Sequence, residues 1–475
     1  MPRHGVYGYE LPTSAPVPAS QLSGLPFVIG VSAIQAAEDP APIGAPVLIR
    51  SFSEFKKKLG YSSDTEKYGL CEFAEVFFAL YAQRPIIAVN LLDPATNNTS
   101  VAAADIDVVG HRAEISVDAI DNANLVVKST GGTAVTLVKD TDYVVMYSEA
   151  ACYVVLLPSS THYSDASLNI AYKKVSPAAV NAAAVVTGLE SVELCATTLG
   201  TVPDMIAAPG FSQNATVAAA MAQKASGING MFRAVAVVDL DPTAATPSAA
   251  ITAKGTAVMS DKNTIVCWPM VLVGDKKQYL SSHMCGRMAA TDQARDNVPS
   301  RSPSNQPMPD VDALVLSDGT KVELTLADAN DLNNAGICTA INFLGSYRAF
   351  GNYTADAEAE DPKDRYIAFV RMFAYVNNLI IRRLWDKLDE PLTWRLVDSL
   401  TDEINLMLNG LVGSGHLYGA RVEFNAGENP LEDLEQGIAK IHVYICPEPP
   451  FQEAVYYIEY DASYVRVAFA ALEEE

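Results

Sequence analysis

The sequence predicts a mixed α/β (α+β) core, an inserted all-β section and extended arms at the N- and C-terminal ends. Three observations predict it. Compact apolar runs alternate with amphipathic helical stretches over residues 25–95, and the rhythm returns from about residue 176; strand–helix–strand order of this kind builds an α/β layer. Residues 101–175 are instead rich in Val, Thr, Ile and Tyr, with alternation and turn signals but little helical periodicity, which marks a series of short strands. Residues 1–24 carry Pro2, Pro12, Pro16 and Pro18 and few bulky hydrophobes, so they build no core of their own and read as an arm.

The elements follow in order. Gly5 to Glu10 is a short stretch with strand-favouring Val6, Tyr7 and Tyr9. Leu25 to Val31 suits a buried strand. Ser51 or Ser53 is placed to cap a short helix ending near Gly60. Cys71 to Gln83 reads as a helix with Phe73, Val76, Phe77 and Leu80 inward, and Pro85 to Leu92 as a second buried strand. In the β-rich section, alternation is visible in Ala113 to Val117 and Tyr143 to Tyr147, with turns at Asp121-Asn122, Gly131-Gly132 and Pro158 to Ser160. Beyond it come strands at Asp204–Ala208, Phe232–Val238 and Ile265–Trp268, a helix near Ala215–Ala225, and a Pro/Ser loop over residues 297–310. Asp361 to Leu388 reads as one long helix, with Asp361 as cap, Pro362 in the first turn and a stripe of Tyr366, Phe369, Val370, Phe373, Val376 and Ile380. A second helix runs from about Thr393 to Leu408. Strands are expected at Leu417–Phe424, Ile438–Cys446 and Ala454–Tyr460, and the tail alternates from Tyr464 to Phe469.

With 49% hydrophobic and 19% charged residues among 475, the bulk of the chain has the material for a large core. Thirty-three basic residues against 56 acidic ones leave a formal net charge of −23. Such a surface repels phosphate backbones and anionic headgroups, so no nucleic-acid or membrane partner is expected. Seven cysteines, odd in number and without a CxxC, read as small buried hydrophobes from a reducing compartment. Residues 1–21 lack the basic-then-apolar pattern of a secretory signal, and no uninterrupted apolar run reaches bilayer length, so assembly in a cytoplasm is expected.

Motifs for chemistry are missing from the sequence. It has no HExxH, no Walker loop and no GxSxG, and its six histidines are scattered. Gly413 to Gly419 is glycine-rich, but it follows a helix and precedes a strand, so it reads as a C-cap and turn and not as a phosphate cradle. Asp239/Asp241 and Asp310/Asp312 lack the pattern of a calcium loop. No catalytic residue, metal or cofactor is assigned. The reading is a structural subunit and not an enzyme. Two other classes stay open: an α/β hydrolase with its site at strand ends such as Pro209-Gly210, and a receptor- or glycan-binding particle protein that uses the β insertion.

Four segments, in this order, carry a family resemblance. They are GVYGYELPTSAPVPASQLSGLPFVIGVSA; SFSEFKKKLGYSSDTEKYGLCEFAEVFFALYAQRPIIAVNLLDP; YKKV with the later VPDMIAAPGFS; and VRMFAYVNNLIIRRLWDKLDEPLTWRLVDSLTDEINLMLNGLVGSGHLYGARVEF. Together they resemble the tail sheath proteins of contractile phages and phage-tail-like bacteriocins. The resemblance implies a core sheath domain in two parts, 25–95 and 178–345, with a β-rich outer insertion at 96–177. It implies an N-terminal arm at 1–24, a C-terminal domain of helix pair plus strands at 346–460, and a C-terminal arm at 461–475. It also implies hexameric rings stacked as a helical tube around an inner tail tube, shortening to drive that tube through a target envelope without nucleotide. Partners would be other copies, the inner tube, and the baseplate and terminator proteins, in a virion or tail-like particle. Arms that add strands to a neighbour's sheet would place Val6, Tyr7 and Tyr9 at one end and Val465, Val467 and Phe469 at the other on subunit interfaces. Val455, Tyr457 and Ile458 would lie in the sheet near the tail's exit. The basic cluster Arg371, Arg382, Arg383 and Lys387 is expected to face the tube.

Overall fold

The computed structural model describes residues 23–131 and 134–470. Val6, Tyr7 and Tyr9 of the expected N-terminal arm lie outside these residues. An eight-stranded sheet forms the centre. Its order is Ser346–Phe350, Ile337–Phe343, Thr264–Cys267, Val235–Asp239, Met205–Ala207, Pro26–Gly30, Ile86–Asn90, Val47–Ile49. The six inner strands are parallel and the two edge strands antiparallel. Helices cover both faces of a parallel sheet, which is why PFVIG, IIAVN and VAVVD are wholly buried and read as continuous apolar runs.

Local chemistry sets the connections. Ser51 Oγ accepts from the Glu54 amide and caps the helix Phe52–Leu59, which stops at Gly60 with φ +68°. A Cβ at Gly60 would sit 1.9 Å from the Ala33 carbonyl oxygen, so only glycine fits this turn. The next helix begins at Gly69 and widens to π geometry over Glu75–Leu80. That extra residue in the turn keeps both Val76 and Phe77 in the core while Glu75 meets Lys276 at 2.8 Å. Residues 182–199 are long and apolar enough to span a bilayer by length and composition. They are not one regular helix, however. They pass from α to 3₁₀ to π geometry, and Glu190 and Glu193 within them pair with Lys224.

Residues 98–175 form a six-stranded antiparallel sheet of their own, in the order Val126–Ser129, Ser167–Val175, Asn98–Val109, Arg112–Ser116, Ala151–Leu156, Tyr143–Tyr147. A separate apolar cluster that includes Val127, Val154, Leu168 and Ile170 holds it together. Tyr68 donates to Asp118 at 2.7 Å and Gln35 to the Val117 carbonyl at 3.1 Å, tying this sheet to the central body. A small four-stranded sheet over residues 270–322 adds strands that the sequence pattern does not announce.

The C-terminal part differs from expectation in three places. The long helix does not begin at Asp361. Asp361 caps only the turn Pro362–Arg365, Tyr366 is extended, and the helix restarts over Ile367–Leu384. The break arises because Tyr366 bridges to Tyr353 and the Ile367 amide bonds the Asn352 carbonyl, claiming groups a continuous helix needs. Residues 454–460, which include Val455, Tyr457 and Ile458, form no strand. The alternating tail with Val465, Val467 and Phe469 is a helix, Ser463–Ala470. A strand must find its hydrogen bonds on another strand, whereas a helix satisfies its own backbone, so a segment that pairs with no strand among the described residues takes the helix.

One buried ion cluster joins the parts. Arg371, on the helix Ile367–Leu384, donates to Asp292 at 3.0 and 2.5 Å and to Asp204 at 2.9 Å. Asp204 also accepts the amides of Gly24 and Leu25, and Asp292 accepts from the Ser23 hydroxyl. Burial alone would favour a neutral arginine, but the two carboxylates outweigh it and hold the guanidinium above its usual pKa. Ile367 and Val370 of this helix pack in the central core, while Met372 and Val376 pack with Ile404, Leu408, Leu417 and Val422. Replacing Arg371 with Leu leaves two carboxylates without a counter-charge in a dry joint. Urea unfolding of Arg371→Leu should show a loss of about 3–5 kcal/mol; a loss below about 1 kcal/mol would show that the joint does not depend on the pair.

Candidate functional site: an open sheet and its flanking tail

The topology sets where a catalytic crevice of an α/β sheet would lie. The chain passes from Pro26–Gly30 to Ile86–Asn90 on one side and later to Met205–Ala207 on the other, so the sheet's switch point lies between the first and third of these. At the carboxyl end there, Pro209 packs on Gly69 and Gly210 faces Tyr279. The helix Leu280–Gln293 starts at this spot. Its first amides are taken by two buried carboxylates: Tyr279 N donates to Glu72 at 3.1 Å and Ser281 N to Asp239 at 2.9 Å. The hydroxyls of Ser282, Ser281 and Ser212 supply the remaining donors. Anions at a helix N-terminus are favoured by its unpaired amides and dipole. Burial pushes Asp239 up to about 6 and Glu72 well above the carboxylate range, while it lowers His283 to about 3. The polar groups at Pro209-Gly210 are therefore engaged in capping the chain's own helix.

The folded state holds the Asp239 proton more tightly than the unfolded chain does, so this group adds stability as pH falls through 6 and stops adding below its ordinary value of 3.8. Asp239→Asn removes that term. Between pH 7 and pH 5 the stability of the natural chain, measured relative to Asp239→Asn, should rise by about 1 kcal/mol. A flat difference across that range would contradict the assignment.

The expected tube-facing cluster does not stay together. Arg371 is 3% exposed and belongs to the joint described above, so it cannot meet another protein. The other three lie on one groove, with Arg383 paired to Glu403 at 2.6 Å and Lys387 near Glu390 at 3.7 Å. Arg382 is half-buried, and burial lowers its pKa. Exposed Trp385 and Leu194 share this groove.

A different feature stands out. Leu417–Glu423 and His442–Pro447 form a two-stranded antiparallel sheet, and no third strand joins either edge among the described residues. Its inner face packs Leu417 and Val422 on the helix Trp394–Gly413. Tyr418 and Tyr444 are exposed, and Arg421 lies 4.0 Å over the Tyr444 ring. One outward amide, that of Val422, is held by the Asn405 side chain. Directly after this sheet the chain runs without regular structure from residue 448 to 461 and is exposed from residue 451 on. Tyr457 is 85% exposed and Ile458 89%, with Phe451, Val455, Tyr456 and Tyr460 also in water. Val465 and Val467 of the terminal helix are exposed too. So long an apolar stretch in water marks an interaction surface.

Residues 177–355 match the family model described as the phage tail sheath protein central domain. The tail sheath protein of Burkholderia phage BcepMu is 28% identical over 409 residues, 81% of this chain and 83% of that one. These matches make the chain similar to contractile tail sheath proteins. The major tail sheath protein of Serratia phage KSP20 is 32% identical over 148 residues, 31% of this chain and 36% of that one. Among solved structures, the contracted PVC sheath complex of an extracellular contractile injection system shares the fold with a TM-score of 0.60 at 16% identity, covering 98% of this chain and 99% of that one. A chain of the anti-feeding prophage baseplate does so at 0.57, also at 16% identity, over 97% and 99%. The sheath relatives are structural tail proteins and not enzymes.

Sequence reasoning missed the role of Arg371, although a signal was present. It is the one charged residue between Arg365 and Arg382. A lone cation in so apolar a helix calls for buried carboxylate partners. The cysteines were simpler: six are buried and unpaired, and Cys446 is exposed.

Proposed function

We propose that the chain is a contractile tail sheath subunit. Copies assemble as stacked hexameric rings around an inner tail tube, and the lattice shortens to drive the tube through a target envelope. The observation that supports this best is the two-stranded sheet with open edges beside an unpacked apolar tail. Among the described residues of a single copy, both halves are left unpaired. A second copy satisfies them together, because a strand added to a sheet edge gains main-chain hydrogen bonds and seats alternate side chains. On this reading the tail residues Val455, Tyr457, Ile458, Val465, Val467 and Phe469, together with Val6, Tyr7 and Tyr9 of the N-terminal arm, make the contacts between subunits.

The remaining parts take roles to match. Residues 25–95 and 178–345 are the core domain, 346–460 the C-terminal domain, and 96–177 an inserted domain on the outside. Residues 1–24 and 461–475 are tethers; an extended segment reaches about 3.3 Å per residue, so bodies can slide while staying linked. Arg382, Arg383 and Lys387 face the tube, with baseplate and terminator proteins at the ends of the particle. The particle is assembled in the host cytoplasm.

Removing residues 1–20 should leave a folded, soluble chain that makes no tubes by negative-stain microscopy; ordered tubes from that truncation would overturn the role of the arm. A point change tests the other end. Ile458→Asp, at a side chain in open water, should shift stability by less than about 0.5 kcal/mol yet stop tube growth. Tubes of normal length from Ile458→Asp would count against the tail contact.

A further inference from the structure

A groove of about 900 Å³ lies where the loop at 300–306, the edge strand Ser346–Phe350 and the start of the tail meet. Four guanidinium groups line it, those of Arg287, Arg295, Arg301 and Arg348, against one carboxylate, Glu448. On a chain with a net charge of −23, this is a concentrated positive site. Two of the arginines are engaged at its wall. Arg287 donates to the Pro307 carbonyl at 3.0 Å and Arg348 to the Asn305 carbonyl at 2.8 Å. Arg301 reaches Glu448 only at 3.5 Å, and Arg295 is exposed on the rim. Exposed Phe343 and Tyr418 border the same space.

Tyr418 connects the groove to the open sheet, because it belongs to the strand Leu417–Glu423. We propose that this groove receives the acidic end of another copy's tail, Glu473, Glu474 and Glu475. The proposal rests on the reading of the chain as a self-assembling subunit and names a contact within that assembly. Charge complementarity argues for it: three successive glutamates meet a site with three more cations than anions. Reach argues for it as well. If Phe469 of a neighbour lies along the open sheet, the four residues from there to Glu473 span up to about 13 Å, enough to pass from the sheet edge to the groove beside Tyr418. Arginine suits the task, since its planar fork binds carboxylates in pairs of hydrogen bonds.

A fluorescent peptide with the sequence of residues 463–475 tests this by anisotropy. The receptor is the full chain carrying Glu473→Gln, Glu474→Gln and Glu475→Gln, so that its own tail is neutral. Binding should weaken at least about tenfold when the receptor also carries Arg295→Glu and Arg301→Glu. It should also weaken as salt rises from about 50 mM to about 500 mM. Equal binding by a peptide with glutamines in place of the three glutamates overturns the proposal, as does indifference to the arginine changes. Tighter binding of a short single-stranded DNA than of the peptide overturns it in favour of a polyanion site. If the natural chain makes no tubes, the sheath reading fails, yet peptide binding still decides the groove. If tubes form but the peptide does not bind, only the groove contact is lost.

Discussion

Arg371 sits where the central sheet, the helix Leu280–Gln293 and the C-terminal part meet. Its guanidinium bridges Asp292 on the helix Leu280–Gln293 and Asp204 at the start of a central strand, and those carboxylates in turn hold Ser23, Gly24 and Leu25. A buried charge is costly unless it is paired, and here two carboxylates accept from both terminal nitrogens of the guanidinium. The helix that carries Arg371 turns one face to the central core and the other to the C-terminal helix and sheet. The same cluster therefore fixes the angle of the C-terminal part and holds Ser23, Gly24 and Leu25.

Around that joint the molecule divides into satisfied and unsatisfied regions. In the central body, even carboxylates such as Glu72 and Asp239 are occupied as caps of a helix. At the C-terminal end the balance reverses. Aromatic and aliphatic side chains stand in water beside a sheet of two strands, which is marginal without further strands or packing. The chain's net charge of −23 keeps copies apart at long range. On the proposed reading, association then depends on short-range pairing at a few places.

How much of this was legible in the sequence follows from where each interaction is made. The parallel strands were, because burial on both faces leaves unbroken apolar runs such as PFVIG and IIAVN. Helix starts at Ser51 and Thr393 were, since a cap acts within three residues. The break at Tyr366 was not, because it is set by Tyr353 and Asn352 on a separate segment. Arg371 was misread for a similar reason. Its partners, Asp204 and Asp292, lie 167 and 79 residues away in the chain, and a basic residue near other basic residues looked like a surface. The tail illustrates the converse limit: Tyr464 to Phe469 alternates like a strand, yet folds as a helix that pairs with no strand among the described residues.

The decisive measurement is a cryo-electron microscopy map of the assembled particle, read at the outer edges of Leu417–Glu423 and His442–Pro447. The account predicts main-chain hydrogen bonds from those edges to terminal segments that trace back to other copies, making a sheet of more than two strands. A well-resolved map in which both edges stay bare, or in which each copy's ends fold back only on its own body, would contradict it.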